Sequence, residues 1–104
     1  MQVLVHTDNH VDGSEELKTH VETEVAEALE RFGNRVTRVE VHLHDQNGHK
    51  MGERDKRCVM EARVAGLDPI AVTEDSETLH VAIAAAAKRL ERTIDRTIDR
   101  HRSH

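Results

Sequence analysis

Four basic residues recur at every fourth position near the end of the sequence: Lys88, Arg92, Arg96 and Arg100, here called the basic ladder. On an α-helix this spacing places them along one side, where like charges repel by about 0.2–0.5 kcal/mol per pair. A row of cations can neutralise phosphates without any base-specific contact. With Arg89, these residues are the candidate nucleic-acid contacts. A solvated helix face whose cations favour the C-terminal helix dipole would show the same pattern.

The charge of the chain is divided unevenly along its length. The 104 residues carry a net charge of -5, yet residues 88–104 hold six basic and three acidic side chains, a net charge of +3. The remaining residues therefore carry -8. A difference in sign of this kind suggests that a polyanion or an acidic surface meets the C-terminal segment, although a solvated helix also fits.

Other reactive residue types form no comparable pattern. His42, His44 and His49 are the nearest cluster among nine histidines, but a closed zinc site needs four converging ligands. We interpret them as surface side chains. Cys58, the only cysteine, has the phase of a core residue and no neighbouring base, which indicates a structural thiol. Without a phosphate loop or a nucleophile motif, the sequence predicts no enzyme, metal, cofactor or small-molecule substrate.

The amino-acid composition indicates which side chains can fill the core and which cellular compartment suits the protein. Hydrophobic residues make up 37% of the chain, with one Phe and no Trp or Tyr, so the core must be aliphatic. The length fits a single domain spanning residues 1–104. A lone cysteine fits a reducing compartment, and we find neither a leader nor an apolar run near the roughly 18 residues of a membrane span. We therefore expect a cytoplasmic protein without membrane contact.

The first elements that would position the ladder follow from hydrophobic periodicity. Loose alternation over MQVLVHT predicts strand one. Apolar residues from Leu17 to Phe32 at spacings of three and four predict a helix, capped by Asp12 or Ser14 and ended by Gly33.

The remaining elements complete an α+β pattern. Strict alternation over RVTRVEVHLHD predicts the second strand, and QNGHKMGERD the loop of a long hairpin. RCVMEARVAG predicts the third strand, with Cys58 and Met60 inward, and IAVT a short fourth strand. The sequence predicts a long last helix that begins at Asp75 or Ser76. The predicted order is β-α-β-β-β-α, a four-stranded sheet with two helices packed on one face.

The stretch LHVAIAAAAKRLERTIDR, together with the order and length of the other elements, resembles the short ribosome hibernation promoting factors and the related ribosome-associated inhibitor A proteins of the sigma-54 modulation protein family. The matching positions are Ala82, Ile83, Arg89, Leu90, Arg92, Arg96 and Arg100. The resemblance covers almost the full chain and implies a fold similar to double-stranded RNA-binding domains. It also implies a translation inhibitor of stressed or stationary cells, which binds rRNA phosphates of the small ribosomal subunit and sterically blocks the mRNA and tRNA sites.

The expected RNA contacts are Lys88, Arg89, Arg92, Arg96 and Arg100. Further candidate contacts are Arg54, Lys56, Arg57 and Arg63. The first helix departs from the family pattern, since Glu24 and Glu27 stand at or near positions where members usually carry lysines. Thr78 and His80 replace an acidic residue and a tyrosine that members often carry. An alternative is therefore a non-catalytic interaction module of the same fold, which uses the acidic first helix to bind a cationic protein.

Overall fold

The element order of the chain is seen in a computed structural model that describes residues 1–46 and 54–102. The strands and α-helices are β1 (Gln2–Thr7), α1 (Glu15–Leu29), β2 (Val36–Asp45), β3 (Lys56–Val64), β4 (Ile70–Ser76) and α2 (Leu79–Arg102). A 3₁₀ segment, Glu30–Arg35, follows α1. The predicted α+β class and the β-α-β-β-β-α order are confirmed. Most of the predicted hairpin loop, residues 47–53, lies outside the described residues.

The four strands form one mixed sheet in the order β1-β2-β3-β4. β1 pairs in parallel with β2, while β3 is antiparallel to both β2 and β4. The parallel register places Val3 opposite Val39 and Val5 opposite Val41, so the apolar sides of both strands share one face. Parallel neighbours need a crossover connection, which α1 supplies.

Both helices cover the apolar face of the sheet. α1 buries Leu17, Val21, Val25 and Leu29, and α2 buries Ala82, Ile83, Ala86, Ala87, Leu90, Ile94 and Ile98. Apart from Met60 and Cys58, the largest fully buried side chains among the described residues are aliphatic, and Phe32 is only partly buried. Small alanine side chains allow α2 to lie close to the sheet. No helix in the described ranges is long and apolar enough to cross a membrane.

The ends of α1 agree only in part with the sequence prediction. Ser14 caps the helix, because its Oγ accepts a hydrogen bond from the backbone N–H of Leu17 at 3.2 Å. The helix ends at Leu29, earlier than predicted, and continues as the 3₁₀ segment. Gly33 then has φ 55° and ψ -134°, a backbone conformation that is unfavourable for residues with a Cβ atom.

The predicted start of α2 at Asp75 or Ser76 is wrong. Both residues belong to β4, where Arg57 of β3 binds the Asp75 carboxylate at 2.8 Å and 3.1 Å. The hydroxyl of Thr78 instead accepts a hydrogen bond from the backbone N–H of Val81 at 3.2 Å. The strand pairing therefore keeps the better capping residues out of the helix.

Replacing Ser14 tests its assignment as the N-cap of α1. Ser14→Ala is expected to lower the free energy of unfolding by about 1 kcal/mol, since a backbone N–H of the first turn loses its acceptor. Urea unfolding followed by far-UV circular dichroism measures the change. Thr19→Ala, at an exposed position of the same helix, is the control, and an equal loss in both variants would contradict the capping role.

Candidate nucleic-acid interface

The basic ladder lies on the exposed side of α2. All four ladder residues are exposed, whereas the buried residues of α2 lie on another arc of the helix. Among residues 1–46 and 54–102, no ion pair of 4.0 Å or less joins a ladder nitrogen to a carboxylate. The cations are therefore available to an external anion.

An open groove runs beside the ladder. Its volume is about 390 Å³, and its lining residues are Glu74, Ala85, Lys88, Arg89, Arg92 and Arg96. Arg89 is anchored to the edge strand β4, since its Nη1 lies 3.3 Å from Oε1 of Glu74. A second groove of about 380 Å³ is lined by Thr93, Arg96, Asp99 and Arg100. The two grooves share Arg96 and so adjoin along the ladder, and each also contains one acidic residue, Glu74 or Asp99.

Arg31, in the 3₁₀ segment, makes a contact with α2 that sequence patterns do not reveal. Its guanidinium binds Glu91 through Nη2 and Asp95 through Nη1, the latter at 3.2 Å. The hydrogen bond to Glu91 is the main cause of the raised pKa of Arg31. The guanidinium carbon also lies 4.8 Å from the centroid of the Phe32 ring. In the sequence, the only sign of this contact is the i, i+4 spacing of Glu91 and Asp95, which does not identify Arg31 as their partner.

Lys56 is engaged in a cluster of carboxylates at the hairpin end of the sheet. Its Nζ lies 2.8 Å from Oδ1 of Asp55 and 3.3 Å from Oδ1 of Asp45, and both aspartates are buried. The hydrogen bond to Asp55 is the main cause of the raised pKa of Lys56. Lys56 therefore compensates buried negative charge within the protein.

The other predicted contacts lie away from the ladder. Arg57 and Arg63 alternate with the inward residues of β3, so they project from the face of the sheet opposite the helices. Arg57 is paired with Asp75, and Arg54 is exposed just before β3. The structure does not bring these arginines onto the surface of α2, and their contact with RNA stays a prediction.

The acidic first helix does not overlie the ladder. α1 meets α2 on another side, where the rings of His20 and His80 lie 4.3 Å apart between centroids. Glu24 is partly buried and Glu27 is exposed. The exposed acidic residues of α1 are Glu15, Glu16, Glu22 and Glu27. The two helices therefore present surfaces of opposite sign side by side.

The histidines and the cysteine have other local environments. His42 stacks on His6 with ring centroids 4.7 Å apart, and His44 lies 3.6 Å from Asp8. His49 lies outside the described residues. In the part of the chain that the structure describes, no three potential metal ligands converge. Cys58 is fully buried, and burial raises the pKa of its thiol to about 12, so the thiol is a poor nucleophile.

Comparison with solved structures shows the same fold in two other proteins. The N-terminal domain of Protein Y from Thermus thermophilus superposes with a TM-score of 0.75 at 19% identity, over 93% of this chain and 99% of that chain. A ribosomal subunit interface protein from Coxiella burnetii gives a TM-score of 0.74 at 14% identity, over 95% of this chain and 99% of that chain. A search of curated protein sequences returns no match.

Comparison with protein families extends this likeness from fold to sequence. Residues 4–102 match the model of the family described as sigma 54 modulation protein / S30EA ribosomal protein. The match begins within β1 and runs to the end of α2, so it includes the basic ladder. The chain belongs to the sigma 54 modulation protein / S30EA ribosomal protein family.

Proposed function

We propose that this protein is a cytoplasmic, non-catalytic translation inhibitor that binds the small ribosomal subunit through rRNA phosphates. Bound there, it sterically blocks the mRNA and tRNA sites in stressed or stationary cells. The observation that carries the proposal is the basic ladder, four exposed cations beside an open groove that form no ion pair with a carboxylate within residues 1–46 and 54–102. Family membership and the ribosomal subunit interface protein of similar fold support a ribosomal partner.

The geometry of the ladder suits a phosphate backbone better than a base sequence. From Lys88 to Arg100 the row spans about 18 Å along the helix, because each residue advances about 1.5 Å. Arginines and lysine can each neutralise a phosphate, and A-form RNA is recognised largely through its shape, phosphates and 2′-hydroxyl groups. The aromatic side chains that would stack on single-stranded bases are almost absent from the chain, which has one Phe.

Co-sedimentation with purified small ribosomal subunits across a salt series tests this function. The triple variant Arg92→Gln, Arg96→Gln, Arg100→Gln is expected to weaken binding by about tenfold or more at low salt. Because each lost phosphate contact removes about 0.7–0.9 from the slope of log affinity against log salt, the slope should fall by about two to three.

A matched control removes the same charge elsewhere. The triple variant Arg54→Gln, Arg57→Gln, Arg63→Gln also changes the net charge by three, but on the loop and on the far face of the sheet. We expect a smaller loss of affinity than in the ladder variant. Equal losses would contradict the assignment of the ladder as the main contact, and absence of wild-type binding at low salt would refute the proposed function.

The acidic surface of α1 supports the alternative of a module that binds a cationic protein. In that case the ladder variant would keep its partner, while Glu16→Gln with Glu27→Gln would release it. Cross-linking to small subunits distinguishes the two, because the first function gives cross-links from α2 to rRNA and the second gives cross-links from α1 to a basic protein.

A further inference from the structure

Three acidic residues of α2 stand three positions after ladder residues: Glu91 after Lys88, Asp95 after Arg92 and Asp99 after Arg96. On a helix surface, side chains of opposite charge at i and i+3 are close enough to pair. Pairing of Glu91 with Lys88 and of Asp95 with Arg92 would occupy two of the four ladder cations and reduce the charge available to an RNA phosphate.

The structure shows a different pairing. The carboxylates of Glu91 and Asp95 both bind Arg31, whose Nη1 lies 3.2 Å from Oδ1 of Asp95. Among the described residues, neither carboxylate forms an ion pair with Lys88 or Arg92. An open groove of about 410 Å³ is lined by Arg31, Glu91, Arg92, Asp95 and Arg96, so ladder and carboxylates are direct neighbours. The contact of Arg31 with the Phe32 ring helps to fix the guanidinium in place.

We propose that Arg31 is a positioning residue of the RNA interface. By engaging Glu91 and Asp95 from the 3₁₀ segment, it keeps both carboxylates from pairing with Lys88 and Arg92, which leaves these two cations free for phosphates. This inference rests on the proposed function, because it assigns the task of Arg31 within the same RNA-binding surface.

Arg31→Ala tests the inference in the salt series with small ribosomal subunits. The slope of log affinity against log salt is expected to fall by about 1.5, because two phosphate contacts are lost at about 0.7–0.9 each. Arg35→Ala is the matched control, since Arg35 is exposed in the same 3₁₀ segment and donates to the backbone oxygen of Ala65 at 3.4 Å. It removes the same charge, so an equal effect of both variants would overturn the proposal.

A rescue experiment distinguishes a positioning role of Arg31 from a purely structural one. Adding Glu91→Gln and Asp95→Asn to Arg31→Ala should restore the slope, because neutral amides cannot compete for Lys88 and Arg92. In the wild-type background the same amide pair should raise affinity much less, since Arg31 already engages both carboxylates. Equal gains in the two backgrounds would show that the amides act only by reducing negative charge.

Nuclear magnetic resonance of the free protein gives a readout that needs no ribosome. In Arg31→Ala, the side-chain Nε–H signal of Arg92 and the Nζ signal of Lys88 should shift as new ion pairs form, and both should return in the triple variant with the two amides. Unchanged spectra would overturn the proposal. If wild-type protein fails to bind subunits, the proposed function is refuted while the spectra still decide whether Arg31 holds the carboxylates away from the ladder.

Discussion

Leu90→Ala is expected to lower the free energy of unfolding by about 2–5 kcal/mol, the range for a truncated core leucine that leaves a cavity. Leu90 is 0% exposed and lies on the inner side of α2, in the same cluster as Met60 and Val72 of the sheet. The core cluster around it consists mostly of aliphatic side chains held on packed strands and helices, so the cavity can be filled only in part.

The measurement is urea unfolding followed by far-UV circular dichroism, because the chain has no Trp or Tyr to report by fluorescence. Val81→Ala is the control on the same helix, since Val81 is 56% exposed and its truncation should change stability by less than about 0.5 kcal/mol. Under conditions where both variants stay folded, both should retain wild-type affinity for small ribosomal subunits. A loss of affinity in folded Leu90→Ala would show that the core sets the geometry of the ladder.

Stability is expected to fall above pH 9 because of Cys58. Burial raises the pKa of this thiol from 9.0 to about 12 in the folded protein. The unfolded chain therefore loses the thiol proton at lower pH than the folded chain, so the stabilisation is complete below pH 9 and disappears as pH rises towards 12. At about pH 11 the loss should reach about 3 kcal/mol.

Comparison with Cys58→Ala isolates this effect. The variant is less stable at neutral pH because it leaves a small cavity, but its stability should decline less steeply between pH 9 and 11. Other groups that titrate in this range, including Lys56, are present in both proteins and cancel in the difference. Parallel curves of unfolding free energy against pH for the two proteins would contradict the assignment.

Strands with one buried face were the part of the fold most accessible from sequence. Alternation alone gives the inward phase of Cys58 and Met60, because a strand that separates a core from water must repeat every two residues. The start of α2 could not be predicted from the sequence in the same way. Asp75, Ser76 and Thr78 are all good capping residues, and the choice among them depends on the pairing of Asp75 with Arg57 across the sheet.

The candidate site likewise has residues that the sequence predicts and residues that it does not. The ladder is visible as a period of four within a single element, so its presence on one side of α2 follows from helix geometry. The role of Arg31 depends on a contact 60 residues away in sequence, and no local pattern encodes it. Lys56 and Arg57 looked as available as any ladder residue, but the register of β3 places both beside carboxylates.

The parallel pairing of β1 with β2 bears on how the chain folds. Val3 and Val39, which lie opposite each other, are 36 residues apart, whereas β2, β3, β4 and α2 follow one another along the chain and pack as neighbours. Contacts between distant residues form late, because the loop between them must first be closed at an entropic cost. We therefore expect β2, β3, β4 and α2 to form the folding nucleus and β1 to dock last, so that the surface proposed to meet RNA is organised before the sheet is complete.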